Sequence, residues 1–158
     1  KMEAGPRALG QRSILANPTK IEYRDKVNEV IKFREDWRPF CPSMLEEYSR
    51  EYFKNTTYAP FMIIAFEAKN KLKDDAPAVV HIDGTSRVQL VYKEINPKYH
   101  GLIESFRKKT GVPILLNTSF NVKGEPIVCT AKDALRTFWS TALDVLVLDD
   151  FIIKKPIL

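Results

Sequence analysis

The chain has 158 residues, with 25 Lys and Arg against 20 Asp and Glu, giving a formal net charge of +5 and a sequence pI near 9.2. One domain of this length buries roughly 68–70% of its unfolded surface, so a core is available without disulfides or a structural metal. With 44% hydrophobic and 28% charged residues the composition excludes intrinsic disorder. The longest apolar run, Pro60 to Phe66, falls far short of the ~20 residues that span a bilayer. Cys41 and Cys129 have no paired spacing, which excludes a disulfide scaffold and a zinc site and reads as reduced thiols of a cytoplasmic protein.

The opening Lys1 to Ala4 carries no initiator methionine and no apolar signal segment, and it reads as the junction of a longer polypeptide. Residues 17–33 are expected to form a helix with an Ile21, Val27, Val30 and Ile31 stripe, ended by Pro39 and Pro42. Ser43 and Glu46 have capping-box spacing, which predicts a second helix with Leu45, Tyr48, Tyr52 and Phe53 on its apolar face. Phe61 to Phe66 and Ala78 to Ile82 are expected as strands, and Arg87 to Lys93 alternates as a third. Asn96-Pro97 predicts a helix start and Gly111 its end after Thr110. Pro113 to Leu116 reads as a short buried strand that releases into a polar loop over 117–126. Thr130 and Asp133 cap a further helix, and 144–154 reads as a hairpin around Asp149-Asp150. Strands and helices mix without regular alternation, which points to an α/β or α+β domain with a mixed, twisted sheet.

Four stretches concentrate chemistry. Gly5 to Ser13 places Arg7 and Arg12 on a backbone constrained by Gly and Pro, and guanidinium pairs suit carboxylate or phosphate oxygens. Lys32 to Pro42 carries Lys32, Arg34 and Arg38, with the aromatics Phe33 and Trp37 ahead of Pro39; macrodipole compensation accounts for Lys32 and Arg34 but leaves Arg38 unexplained. In His81 to Gln89, alternation puts Arg87 and Gln89 on one strand face, while His81 reads as a hydrogen-bonded structural residue and His100 as a surface one. Leu115 to Pro126 presents Asn117, Thr118, Ser119 and Asn121 directly after an apolar strand, donors and acceptors for phosphate, ribose or a carbamoyl-type amide. No Ser-His-acid arrangement, P-loop, dinucleotide fingerprint or metal cluster is present. Arginine, lysine and neutral donors with few carboxylates favour charge stabilisation and positioning, as in phosphoryl or nucleotidyl transfer with Mg2+ carried on ATP.

The stretches GPRALGQRSILANP (5–18), RPFCPS, HIDGTSRVQ (81–89), TGVPILLNTSFNVKGEPIV (110–128) and TALDVLVL occur in one order over nearly the whole chain. Together they resemble the C-terminal domain of the carbamoyltransferases that act on antibiotics and nodulation factors. The resemblance implies a YrdC-like twisted mixed sheet with flanking helices and a concave basic pocket. It also implies ATP-dependent conversion of carbamoyl phosphate to carbamoyladenylate, with a preceding Kae1-like domain passing the carbamoyl group to a hydroxyl acceptor. On it, Lys32, Arg38 and Arg87 take catalytic roles. Arg7, Arg12, Asn117, Ser119 and Asn121 bind substrate or nucleotide, and no protein-held metal is expected. The partners implied are carbamoyl phosphate, ATP and the Kae1-like domain, without a membrane and with nucleic acid ranked low. The competing readings are a basic RNA-binding domain, which the net charge favours, and a non-catalytic scaffold.

Overall fold

A computed structural model describes residue 5, residues 7–33 and residues 39–156. Its centre is a four-stranded sheet of β1 (Ser13–Ala16), β6 (Ile114–Ser119), β2 (Cys41–Leu45) and β5 (Gln89–Val91), in that spatial order. β6 runs antiparallel to both β1 and β2, whereas β2 and β5 are parallel, so the sheet is mixed. Two small antiparallel pairs flank it, β3 (Phe66–Glu67) with β4 (Thr85–Ser86), and β7 (Val145–Leu148) with β8 (Phe151–Lys154). The helices are α1 (Ile21–Val27), the short α2 (Ser49–Tyr52), α3 (Asn70–Asp75), α4 (Pro97–Thr110) and α5 (Ala131–Ser140). The fold is thus α+β with a mixed sheet.

Strand alternation divides the core into two layers. Met44, Leu90, Ile114 and Leu116 face the larger layer, which gathers Ile14, Val27, Ile31, Phe53, Leu72 and Phe138. Leu45, Val91 and Leu115 face the other way and pack against Tyr99 and Ile103 of α4. α4 starts and stops where its sequence says: Asn96 Oδ1 accepts from the Tyr99 N–H, Pro97 opens the first turn, and Gly111 closes it in the left-handed region at φ 81°. α5 carries a complete Thr130–Asp133 capping box.

Other segments depart from expectation for identifiable reasons. Ser43 lies inside β2 instead of starting a helix, because its peptide groups pair with Leu115 and Gln89 and its hydroxyl donates to Gln89. Only residues 46–52 turn helical afterwards. The 17–33 helix begins at Ile21, which is exposed, and after Val27 it widens into a π-helical turn over Asn28–Lys32. Phe61, Ile63 and Ile64 are exposed around a buried Met62 at φ 54°, a conformation that breaks extended backbone, and only Phe66 of the run enters a strand. Pro77–Val79 is a 3-10 turn, its backbone drawn to Pro18 through the Ala78 N–H, so no strand forms at 78–82. His100 is 9% exposed and its Nε2 lies 3.0 Å from Glu47 Oε1, so it is not a surface residue. No helix among the described residues is long and apolar enough to cross a membrane.

Candidate functional site

The sheet face that α4 covers continues past the helix, and there its side chains turn polar. On β2, β5 and β6 the residues in phase with Leu45, Val91 and Leu115 are Ser43, Gln89 and Asn117. All three are buried and bonded to one another: Ser43 Oγ donates to Gln89 Oε1 at 2.7 Å, and Asn117 Nδ2 donates to Ser43 Oγ at 2.8 Å. Their remaining donors reach out to the N-terminal loop. Asn117 Nδ2 lies 3.0 Å from the Ala8 carbonyl, and Gln89 Nε2 lies 3.1 Å from the Leu9 carbonyl. Backbone that offers no partner of its own in the sheet is thereby fastened across it.

Gly10 completes the seating of that loop. It sits at φ 104°, and a Cβ built there would stand 2.4 Å from Tyr99 Cδ1, so the chain passes against α4 only because residue 10 lacks a side chain. The loop, thus held, carries Arg7 to a cleft of about 100 Å3. Arg7, Ala8, Pro39, Cys41, Met62, Arg87, Asn117 and Ser119 are among its walls. Arg87 Nη2 donates to Cys41 Sγ at 3.1 Å, which sets the plane of the guanidinium. The Nε atoms of Arg7 and Arg87 are buried and have no hydrogen-bond partner among the described residues.

His81 stands at the Arg87 side of this region, with Nδ1 3.4 Å from Thr85 Oγ1. Burial holds its pKa below the usual imidazole value; the Arg87 charge acts in the same sense, against Asp83 and the Phe40 carbonyl. A neutral imidazole therefore adds no competing positive charge beside Arg87.

Lys32 is placed differently from the expectation that it grips phosphate. It ends the π-helical turn, where the i→i+5 bond from Phe33 N–H to Asn28 O widens the helix, and it is 5% exposed. Its Nζ donates to the Ser119 carbonyl at 2.8 Å, the Asn121 carbonyl at 2.8 Å and Asn121 Oδ1 at 2.7 Å, with Ser119 Oγ at 3.3 Å. The ammonium thus organises the exit of β6, and of this trio Ser119 alone reaches the cleft wall. Arg12 Nη1 donates to the Val128 carbonyl at 3.0 Å, away from the cleft walls. Arg38 lies outside the described residues.

The structure therefore brings Arg7, Arg87, Asn117 and Ser119 together, with Lys32 and Asn121 directly behind Ser119. Sequence reasoning did not find Ser43 and Cys41; Gln89 carried a legible signal, since it shares a strand face with Arg87. Among the described residues no cluster of three or more His, Cys, Asp or Glu could hold a metal ion.

A family model described as Carbamoyltransferase C-terminus matches residues 1–155. The nodulation protein NolO of Bradyrhizobium diazoefficiens is 46% identical over 98% of this chain, and nodulation protein NolNO of Sinorhizobium fredii is 48% identical over 98%. An uncharacterised protein of Methanocaldococcus jannaschii is 43% identical over 99%. The match covers 29%, 23% and 26% of those three proteins, so the chain spans less than a third of the length of the curated relatives it matches.

Proposed function

The chain belongs to the carbamoyltransferase family, as its C-terminal region, and from that premise we propose that it performs the ATP-dependent activation of carbamoyl phosphate. The observation that carries this reading is the pair of guanidinium groups, Arg7 and Arg87, delivered by unconnected segments to one cleft with buried Nε donors left over. Buried donors without partners are rare and unfavourable, and an anion with several oxygens satisfies them. At about 100 Å3 the described cleft is below the ~300 Å3 from which pockets for drug-sized ligands begin, and suits the acyl phosphate head of a small molecule better than a whole nucleotide.

In the proposed sequence, water releases phosphate from carbamoyl phosphate, leaving carbamate. A carbamate oxygen then attacks the α-phosphorus of ATP and pyrophosphate departs, giving carbamoyladenylate. Arg7 and Arg87 hold the phosphate oxygens and stabilise charge as the bond to phosphorus breaks. Lys32 acts as a positioning residue through Ser119 and Asn121, and Arg12 through the Val128 backbone. Arg38 joins the phosphate-binding set by family resemblance. Mg2+ would arrive on the nucleotide and be held mainly by its phosphates. The remaining length of the relatives corresponds, on the same resemblance, to a Kae1-like domain that would transfer the carbamoyl group to a hydroxyl.

Isothermal titration with carbamoyl phosphate tests the site. Arg7→Ala and Arg87→Ala should each weaken binding tenfold or more, in keeping with loss of a charge-assisted hydrogen bond. Unchanged affinity in both variants would falsify the assignment. Pyrophosphate release from ATP in the presence of carbamoyl phosphate separates catalysis from scaffolding, since a scaffold yields none.

A further inference from the structure

Asn117 has a feature that anion binding leaves unused. It is 2% exposed, it lines the cleft, and its Oδ1 is buried without a hydrogen-bond partner among the described residues. The orientation of its amide is fixed by chemistry. The Ala8 carbonyl can only accept, so the Asn117 atom 3.0 Å from it must be the donor Nδ2. Gln89 is fixed in the same way, because its Nε2 faces the Leu9 carbonyl at 3.1 Å. Gln89 Oε1 then accepts from Ser43 Oγ–H, and Ser43 Oγ in turn accepts from Asn117 Nδ2. The relay runs in one direction only and cannot be reversed by flipping either amide.

What remains at the cleft is two guanidinium donors, from Arg7 and Arg87, together with one carbonyl-type acceptor. A phosphate group without a proton meets the first two and leaves the third unpaired. An anion that also carries a hydrogen-bond donor, such as the amide-type N–H of a carbamoyl group, is complementary to all three. We infer that Asn117 Oδ1 accepts a hydrogen bond from the NH2 of the carbamoyl group, which makes Asn117 the residue that selects carbamoyl phosphate over other acyl phosphates. This rests on the activation reading above and adds the source of its substrate selectivity. Acetyl phosphate has the same phosphate and carbonyl, with a methyl where carbamoyl phosphate has NH2; bound in the same pose it would press that methyl on the unpaired oxygen. Sites built around a polar partner reject the analogue that lacks it.

The test is a titration of the chain with carbamoyl phosphate, acetyl phosphate and inorganic phosphate under identical conditions. Carbamoyl phosphate should bind tenfold or more tighter than acetyl phosphate. Equal affinity of the two overturns the selectivity while leaving the anion cleft intact. Failure of all three to bind overturns the activation reading and this inference with it. In Asn117→Ala the ratio between the two acyl phosphates should collapse to within about twofold, on top of a common loss for both ligands from freeing the Ala8 carbonyl of the loop that carries Arg7; a preserved ratio again overturns the role. Should the variant fail to fold, the wild-type ligand comparison decides alone.

Discussion

At the scale of single residues, the buried Lys32 and the half-buried His81 are accommodated in opposite ways. Lys32 has its Nζ surrounded by oxygens of Ser119 and Asn121. Replacing it with Met removes the cation but leaves those acceptors inside, so Lys32→Met should cost about 3 kcal/mol of folding stability. The urea midpoint of the variant reads this directly, and a midpoint equal to wild type would show that the ammonium is not a structural clamp. His81 is instead held neutral, its pKa lowered from 6.5 chiefly by burial. A lowered folded pKa means the unfolded chain binds the proton first on acidification. The stability associated with neutral His81 is therefore complete above the unfolded pKa and declines as pH falls below about 6.5. Thermal midpoints of wild type and His81→Gln across pH 7.5 to 5, roughly the window set by the ordinary histidine pKa, should converge or cross toward acid. Parallel curves would remove His81 from the acid response.

At the scale of elements, the N-terminal loop, bonded to Asn117 and Gln89, also depends on one close approach. Gly10→Ala would bring a Cβ to 2.4 Å from the Tyr99 ring in a backbone conformation that disfavours side chains. The expected loss is about 2 kcal/mol or more, combining strain with overpacking. Gly84→Ala is the control, since φ is 76° there but no atom lies within 4 Å. The excess of the first variant over the second isolates the Tyr99 contact, and carbamoyl phosphate affinity should fall only in the first. If both lose the same stability, the loop is not seated by that contact. Elements announced by local chemistry were legible in sequence: Asn96-Pro97 and Gly111 bound α4, Thr130 and Asp133 cap α5, and Asp149-Asp150 joins β7 to β8. The central strand β2 was not. It is buried on both faces, so alternation vanishes, and its Pro42 and Ser43 carry turn and cap signals that strand pairing overrides. Pairing with β5 begins at Ser43, one residue past the proline.

For the whole molecule, the site was legible as a set of stretches but not as a layout. Arg7, Arg87, Asn117 and Ser119 stood out because arginines and small polar residues follow glycine-bearing loops or leave apolar strands, and these four do meet. That Lys32 bonds Ser119 from behind the cleft wall, and that Arg12 reaches the Val128 carbonyl instead of the cleft, depends on packing between distant segments, which no local pattern encodes. The same question of layout decides what the +5 charge means. If it serves a cleft for a small anion, few charges change partners on binding. Carbamoyl phosphate affinity should then fall by less than about tenfold when salt is raised from about 50 to about 500 mM, because a partly enclosed pair is screened less than exposed charges. If the charge serves nucleic acid, a single-stranded RNA should bind with a log–log salt slope of about −0.7 per phosphate engaged. Tight RNA binding with a steep slope, alongside no carbamoyl phosphate binding, would transfer the basic surface to nucleic acid. A shallow slope for carbamoyl phosphate with no saturable RNA binding would tie it to the Arg7–Arg87 cleft.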